Sequence, residues 1–156
     1  MSSVIIFKRF IFILAALLIF AGSVRSVAFA EGESGDAILQ VTNAMQPERP
    51  PSMLMSAGYL SVRNLSENDV FVVNVTSPEY QSVSVHRSFE VDGMHKMEEV
   101  CPLKIPAGQQ LTFEPGGLHL MLHKPLVSRK AGDQTTIIFE TDKEEMISFK
   151  LLVVRH

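Results

Sequence analysis

A single cysteine, Cys101, stands in the 156 residues, so no intrachain disulfide can form and the fold must hold by packing alone. The usual catalytic signatures are missing as well. There is no G-x-S-x-G, no C-x-x-C, no H-E-x-x-H and no phosphate-cradling glycine loop, and the expectation is a protein that is not an enzyme. Positive charge is scarce: 14 Lys and Arg stand against 17 Asp and Glu, a formal net charge of -3. That is the wrong sign for the phosphates of nucleic acid. No segment sustains a helical hydrophobic period, and no internal repeat or low-complexity tract is present.

Long apolar runs are lacking too. The stretch Phe10 to Ala21 is short of the roughly 20 residues that a bilayer span needs. It follows the basic pair Lys8-Arg9 and leads to Ala28-Phe29-Ala30, the layout of a secretory signal peptide with an A-x-A cleavage site. An uncleaved anchor is the alternative, and Arg25, between the apolar stretch and the site, keeps it open. The expected organisation is a signal peptide at 1–30, a polar leader at 31–37 and one β domain at 38–156. Loss of residues 1–30 removes Lys8, Arg9 and Arg25 and no acid, which takes the formal charge to -6.

What is present is a succession of short β-rich runs. They are Ile38 to Val41, Tyr59 to Arg63, Val70 to Val75, Val83 to Val91, Met94 to Val100, Gln109 to Phe113, Leu118 to Leu122, Thr135 to Thr141 and Met146 to Val153. Turn residues separate them, and strands so short and evenly spaced predict an all-β sandwich or Greek-key barrel of about eight or nine strands.

Two of these runs carry unusual side chains. In "GGLHLMLHK", residues 116–124, Leu118, Leu120 and Leu122 alternate with His119, Met121 and His123. Strand periodicity sends the leucines to one face and the imidazoles and thioether to the other, about 7 Å apart. Were the run helical, His119 and His123 would sit one turn apart and resemble half a zinc site. The Pro-Gly-Gly before it and the leucine alternation favour strand. Asp92-Gly93 between two other runs signals a two-residue hairpin turn. With that turn Val91 faces Met94, Ser88 faces Met97 and His86 faces Glu99, so Met97 lies diagonally across from His86. A second histidine and methionine thus converge on one patch.

Thioethers are soft neutral donors that favour Cu(I), imidazole suits copper as well as zinc, and structural zinc sites use thiolates rather than methionine. A His and Met set in an exported protein therefore speaks for copper without oxidisable thiolates. A blue-copper electron carrier would need Cys101 within a cluster of ligands, and its neighbours offer none.

The order His86, ten residues, Met97, twenty-one residues, His119, one residue, Met121 resembles the H-x10-M-x21-H-x-M signature of the periplasmic copper chaperones called PCu(A)C. "AGYLSVRN" (57–64) and "AGDQTTIIFET" (131–141) are similar to strands of the same family. The resemblance covers most of residues 38–154. It implies a cupredoxin-like β-barrel holding one Cu(I) through His86, Met97, His119 and Met121. It also implies periplasmic delivery of copper toward the dinuclear centre of a cytochrome c oxidase, alongside a Sco-type partner; the chain itself is expected to be a monomer. His123 departs from the family, where an apolar residue, often methionine, is expected.

Duller readings stand beside these. Met97 and Met121 could be core filler, and His86 and His119 surface histidines on an exported β-sandwich that binds a protein or ligand. His95 and His123 read as surface histidines with room for an accessory role, Met53 and Met55 as packing in preference to lining the same rim, and Cys101 as a small buried hydrophobe beside Val100 and Pro102. Mass spectrometry of the exported protein is expected to show a chain that begins at Glu31.

Overall fold

Branched aliphatic residues alternating with polar ones build strands wherever one face is covered and the other is wet. In a computed structural model, which describes residues 37–155, the strands are β1 (Leu39–Pro47), β2 (Met55–Asn64), β3 (Val70–Thr76), β4 (Tyr80–Val91) and β5 (Met94–Glu99). They continue with β6 (Leu103–Ile105), β7 (Gln110–Phe113), β8 (Leu118–Pro125), β9 (Gln134–Thr141) and β10 (Met146–Val154). The expected signal peptide at 1–30, and the leader as far as Asp36, lie outside the described residues.

All ten strands join one hydrogen-bonded sheet in the order β5-β4-β8-β7-β2-β1-β10-β9-β3-β6. Pairing is antiparallel throughout except for β1 with β10 and β7 with β8, which run parallel. The two ends of the sheet curl towards each other. Cys101, following β5, meets β3 there, its Sγ donating to the Val73 carbonyl at 3.3 Å. Cys101 is exposed, which corrects its reading as a buried hydrophobe: it sits on the seam, and the neighbouring side chains that turn inward are Val85 and Leu103.

Inside the curl lie Leu60, Val62, Val72, Ile105, Leu120, Leu122, Ile137, Phe139, Leu151 and Val153, all essentially inaccessible. Each such side chain contributes about 1.5–3 kcal/mol by leaving water. Phe139 adds an edge-to-face contact with Phe149 at a centroid separation of 4.9 Å. Gly58 is required by this packing, because a Cβ there would come within 2.8 Å of Leu151 Cδ1 and 3.2 Å of Leu120 Cβ.

The nine strands expected from periodicity are all present. β6 was not expected, because three residues between Pro102 and Pro106 are too few to display a period. They nevertheless bury Leu103 and Ile105 and pair with β3. β1 runs further than Val41 because a register shift between Thr42 and Met45, with Asn43 at φ 52°, interrupts the alternation while the strand goes on.

β7 and β8 lie end to end along β2. β7 pairs with Leu60 to Arg63 and β8 with Met55 to Gly58. The jog between them, Glu114 to Gly117, is closed by Gly117 N–H donating to the Glu114 carbonyl at 3.1 Å and Glu114 N–H donating to the Leu118 carbonyl at 2.7 Å. Gly116 takes φ 80° in this turn, a conformation that side chains resist. The other edge of β8 pairs with β4.

One buried polar residue organises the far end. Asn64 donates to the carbonyls of Asn68 (2.7 Å) and Ile105 (2.9 Å) and accepts from Ser66 N–H (2.9 Å) and Ser66 Oγ (2.8 Å). Both donors and both lone pairs of the amide are used to hold the β2–β3 loop against β6. Asn64→Ala would leave buried carbonyls unpaired, so it is expected to lower the unfolding free energy by about 2–3 kcal/mol, read by urea denaturation, without altering any binding at the opposite end.

Candidate metal centre

Strand β8 carries the alternation that the sequence displays. Leu118, Leu120 and Leu122 are buried in the core, which turns His119, Met121 and His123 to the opposite face. The β4–β5 hairpin turns at Asp92-Gly93, both at positive φ (53° and 74°), and its register pairs Val91 with Met94, Ser88 with Met97 and His86 with Glu99, as expected. β4 in turn pairs with β8 so that His86 faces His119 and Ser84 faces Met121. The expected neighbours are thus assembled by two ladders that share β4.

A cleft of about 490 Å³ opens on this face, with Met97, His119 and Met121 in its wall. His119 is only 7% exposed, deeper than a surface histidine, and shares the cleft wall with residues of the hairpin and of the segment before β2. β5 is exposed along its whole length, and Met97, at 52% exposure, hangs at the mouth. His86 does not line the cleft. It stands beside His119, with ring centroids 6.0 Å apart and planes tilted by 31°.

The hydrogen bonds of the two imidazoles bear on which nitrogen can bind a metal. His119 Nδ1 lies 3.1 Å from the Gly117 carbonyl, which can only accept, so that nitrogen carries the proton and Nε2 keeps its lone pair. The jog before β8 therefore orients the ring as well as the strand. His86 Nε2 lies 2.9 Å from Ser84 Oγ, while its Nδ1 is buried without a partner. In the tautomer whose Nε2–H donates to Ser84 Oγ, the orphaned Nδ1 carries a free lone pair, which fits a metal ligand.

Burial holds the His86 imidazole below the ordinary value of 6.5; Glu99 opposes this, and His119 and His123 reinforce it. Burial therefore favours the neutral form of His86, the form that a metal requires. Among the described residues no group of three or more His, Cys, Asp or Glu side chains comes together. What the face offers besides imidazole is thioether.

Two residues read as packing are placed otherwise. Met53 and Met55 are exposed and line the same cleft. Their signal was available: Met53, Met55 and Ala57 keep the period of two that marks β8, across the start of β2. His123 lies across from Met55 on β2 and Ser82 on β4, and His95, on the exposed strand β5, lies across from Glu90.

Comparisons with known proteins agree with this architecture. Residues 39–153 match the family described as "Putative lipoprotein LpqE-like". The chain is 29% identical over 99 residues to RP573 of Rickettsia prowazekii, an alignment covering 62% of this chain and 55% of that one. It spans about half the length of the curated relatives it matches. Among solved structures it resembles Cu(I)-DR1885 from Deinococcus radiodurans, with a TM-score of 0.60, 27% identity and coverage of 78% of this chain and 83% of the other. The fold also resembles the copper-bound PCuAC domain from PmoF2, with a TM-score of 0.63, 14% identity and coverage of 77% and 95%.

In the metal-free protein His86 is expected to titrate below 6.5 by NMR. Because its folded pKa is depressed, its contribution to stability is complete above 6.5 and is lost as pH falls through the folded value. His86→Gln is expected to flatten that part of the stability profile.

Proposed function

Because the chain belongs to the LpqE-like family and has the fold of PCuAC domains, we propose that it is an exported, non-enzymatic copper carrier. It binds Cu(I) through His86, Met97, His119 and Met121. The observation that carries this reading is the meeting of Met97, His119 and Met121 in one cleft, with His86 beside His119.

Two imidazoles and two thioethers form a donor set that is neutral and soft. Such a set prefers Cu(I) to the harder divalent ions and has no thiolate to be oxidised outside the cytoplasm. Copper is cargo here, so the site must release it as well as hold it. Met97 stands on an exposed strand at the mouth, where an incoming donor can replace it first. His119, buried and oriented by the Gly117 carbonyl, is the fixed end of the site.

The solved neighbour at 27% identity is a Cu(I) complex, which supports the choice of metal. The family's description as a lipoprotein supports export. In this reading residues 1–30 form a signal peptide and 38–156 the carrier domain. The carrier works in the periplasm as a monomer, and the recipient is the dinuclear copper centre of a cytochrome c oxidase subunit, reached with or through a Sco-type protein.

Anaerobic titration with Cu(I) against a competing chelator tests the carrier role. The tightest-bound equivalent is expected to disappear in the His119→Ala, Met121→Ala double variant. The single variant His119→Ala should lose more than the roughly 10–100-fold that removal of an outer-shell partner costs. Weak binding that is the same in wild type and double variant would instead identify a β-sandwich whose histidines and methionines are incidental.

A further inference from the structure

The donors on the cleft face continue past Met121. On β8 the next outward side chain is His123, and its antiparallel partner on β2 is Met55. Lys124 N–H donates to the Leu54 carbonyl at 2.7 Å, so residues 54 and 124 form a hydrogen-bonded pair. By the alternation of antiparallel ladders Met55 and His123 occupy the next, non-hydrogen-bonded position, where Cα atoms approach to about 4.5 Å and side chains stand closest. Met53, two residues before Met55, lines the same cleft. The partner of Met121 on β2 is Ala57, whose single methyl leaves the space over that thioether open.

We propose that Met55 and His123, with Met53 beside them, form a second soft-metal position that holds a Cu(I) ion and exchanges it with the inner site through the Met121 thioether. The proposal rests on the copper-carrier reading above. Its chemistry is the same: neutral thioethers and an imidazole, a set that Cu(I) accepts and hard cations do not.

Along β8 the donors His119, Met121 and His123 are spaced by about 7 Å. Met121 therefore has a histidine of its own strand on either side. Transfer between the two positions is ligand exchange among neutral donors. The ion keeps its charge and oxidation state, and no proton is displaced. The inner position is partly buried around His119, whereas Met55, at 56% exposure, stands in the open. The outer position is thus suited to first capture or last release, and the inner one to retention.

The test is an anaerobic Cu(I) titration of the full chain with a competing chelator. Wild type is expected to take two equivalents, the second more weakly. Met55→Leu, His123→Leu should take only the tight one, and His119→Ala, Met121→Ala should lose that one. Met55→Leu alone, a change of similar size at an exposed position, should weaken the second equivalent without loss of the β-sheet circular dichroism signal, which separates ligand loss from misfolding. One equivalent in wild type, unchanged in Met55→Leu, His123→Leu, overturns the second position and leaves the carrier reading standing. Two equivalents that persist in that double variant overturn it as well. No tight equivalent in wild type overturns the carrier reading, and this proposal with it.

Discussion

The pairing of β8 with β4 on one edge and β2 on the other is the constraint on which the rest of the cleft depends. A strand's side chains alternate strictly, so burial of Leu118, Leu120 and Leu122 also decides where His119, Met121 and His123 point. A slip of one residue would drive two imidazoles and a thioether into the core and leave three leucines in water. The hydrophobic effect thus guards the register, and the register assembles the donors. The Glu114 to Gly117 jog enters the same account twice, because its Gly117 carbonyl accepts from Ser88 N–H on β4 and orients His119.

The electrostatics of the face follow from its composition. Burial shifts His86 towards its neutral form, opposed by Glu99 and helped by two neighbouring histidines. A neutral donor set does not have to shed protons before a cation enters, and it does not hold a divalent ion as carboxylates or thiolates would. Graded exposure supplies the rest: His119 is enclosed, Met97 stands on an exposed hairpin, and Met53 and Met55 lie open at the rim. In the proposed carrier a metal held there would meet its firmest partner inside and its most replaceable ones outside.

Much of this was legible in the sequence because strands display a period of two and Asp-Gly turns set a register. The pairs His86 with Glu99 and Ser88 with Met97 follow from two residues, Asp92 and Gly93, and the structure holds them. Other features were illegible for equally physical reasons. Leu103 to Ile105 is too short to show a period, and β1 carries a bulge that scrambles one. Cys101 looked like core because it is flanked by apolar residues, yet it lies on the seam where the sheet's ends meet. Met53 and Met55 show a period of two, but that period tells which way a side chain faces and not that the segment borders a cleft.

By itself, then, the sequence determined the all-β architecture, the hairpin register and the facing of each side chain along its strand, since these depend on neighbours one or two residues away. Tertiary structure alone decided that His86 stands beside His119, that His119 is enclosed and that Met55 lies opposite His123. Those contacts join segments more than thirty residues apart in the chain. Local periodicity carries no information about which strand edges meet; that choice belongs to the packing of the whole core.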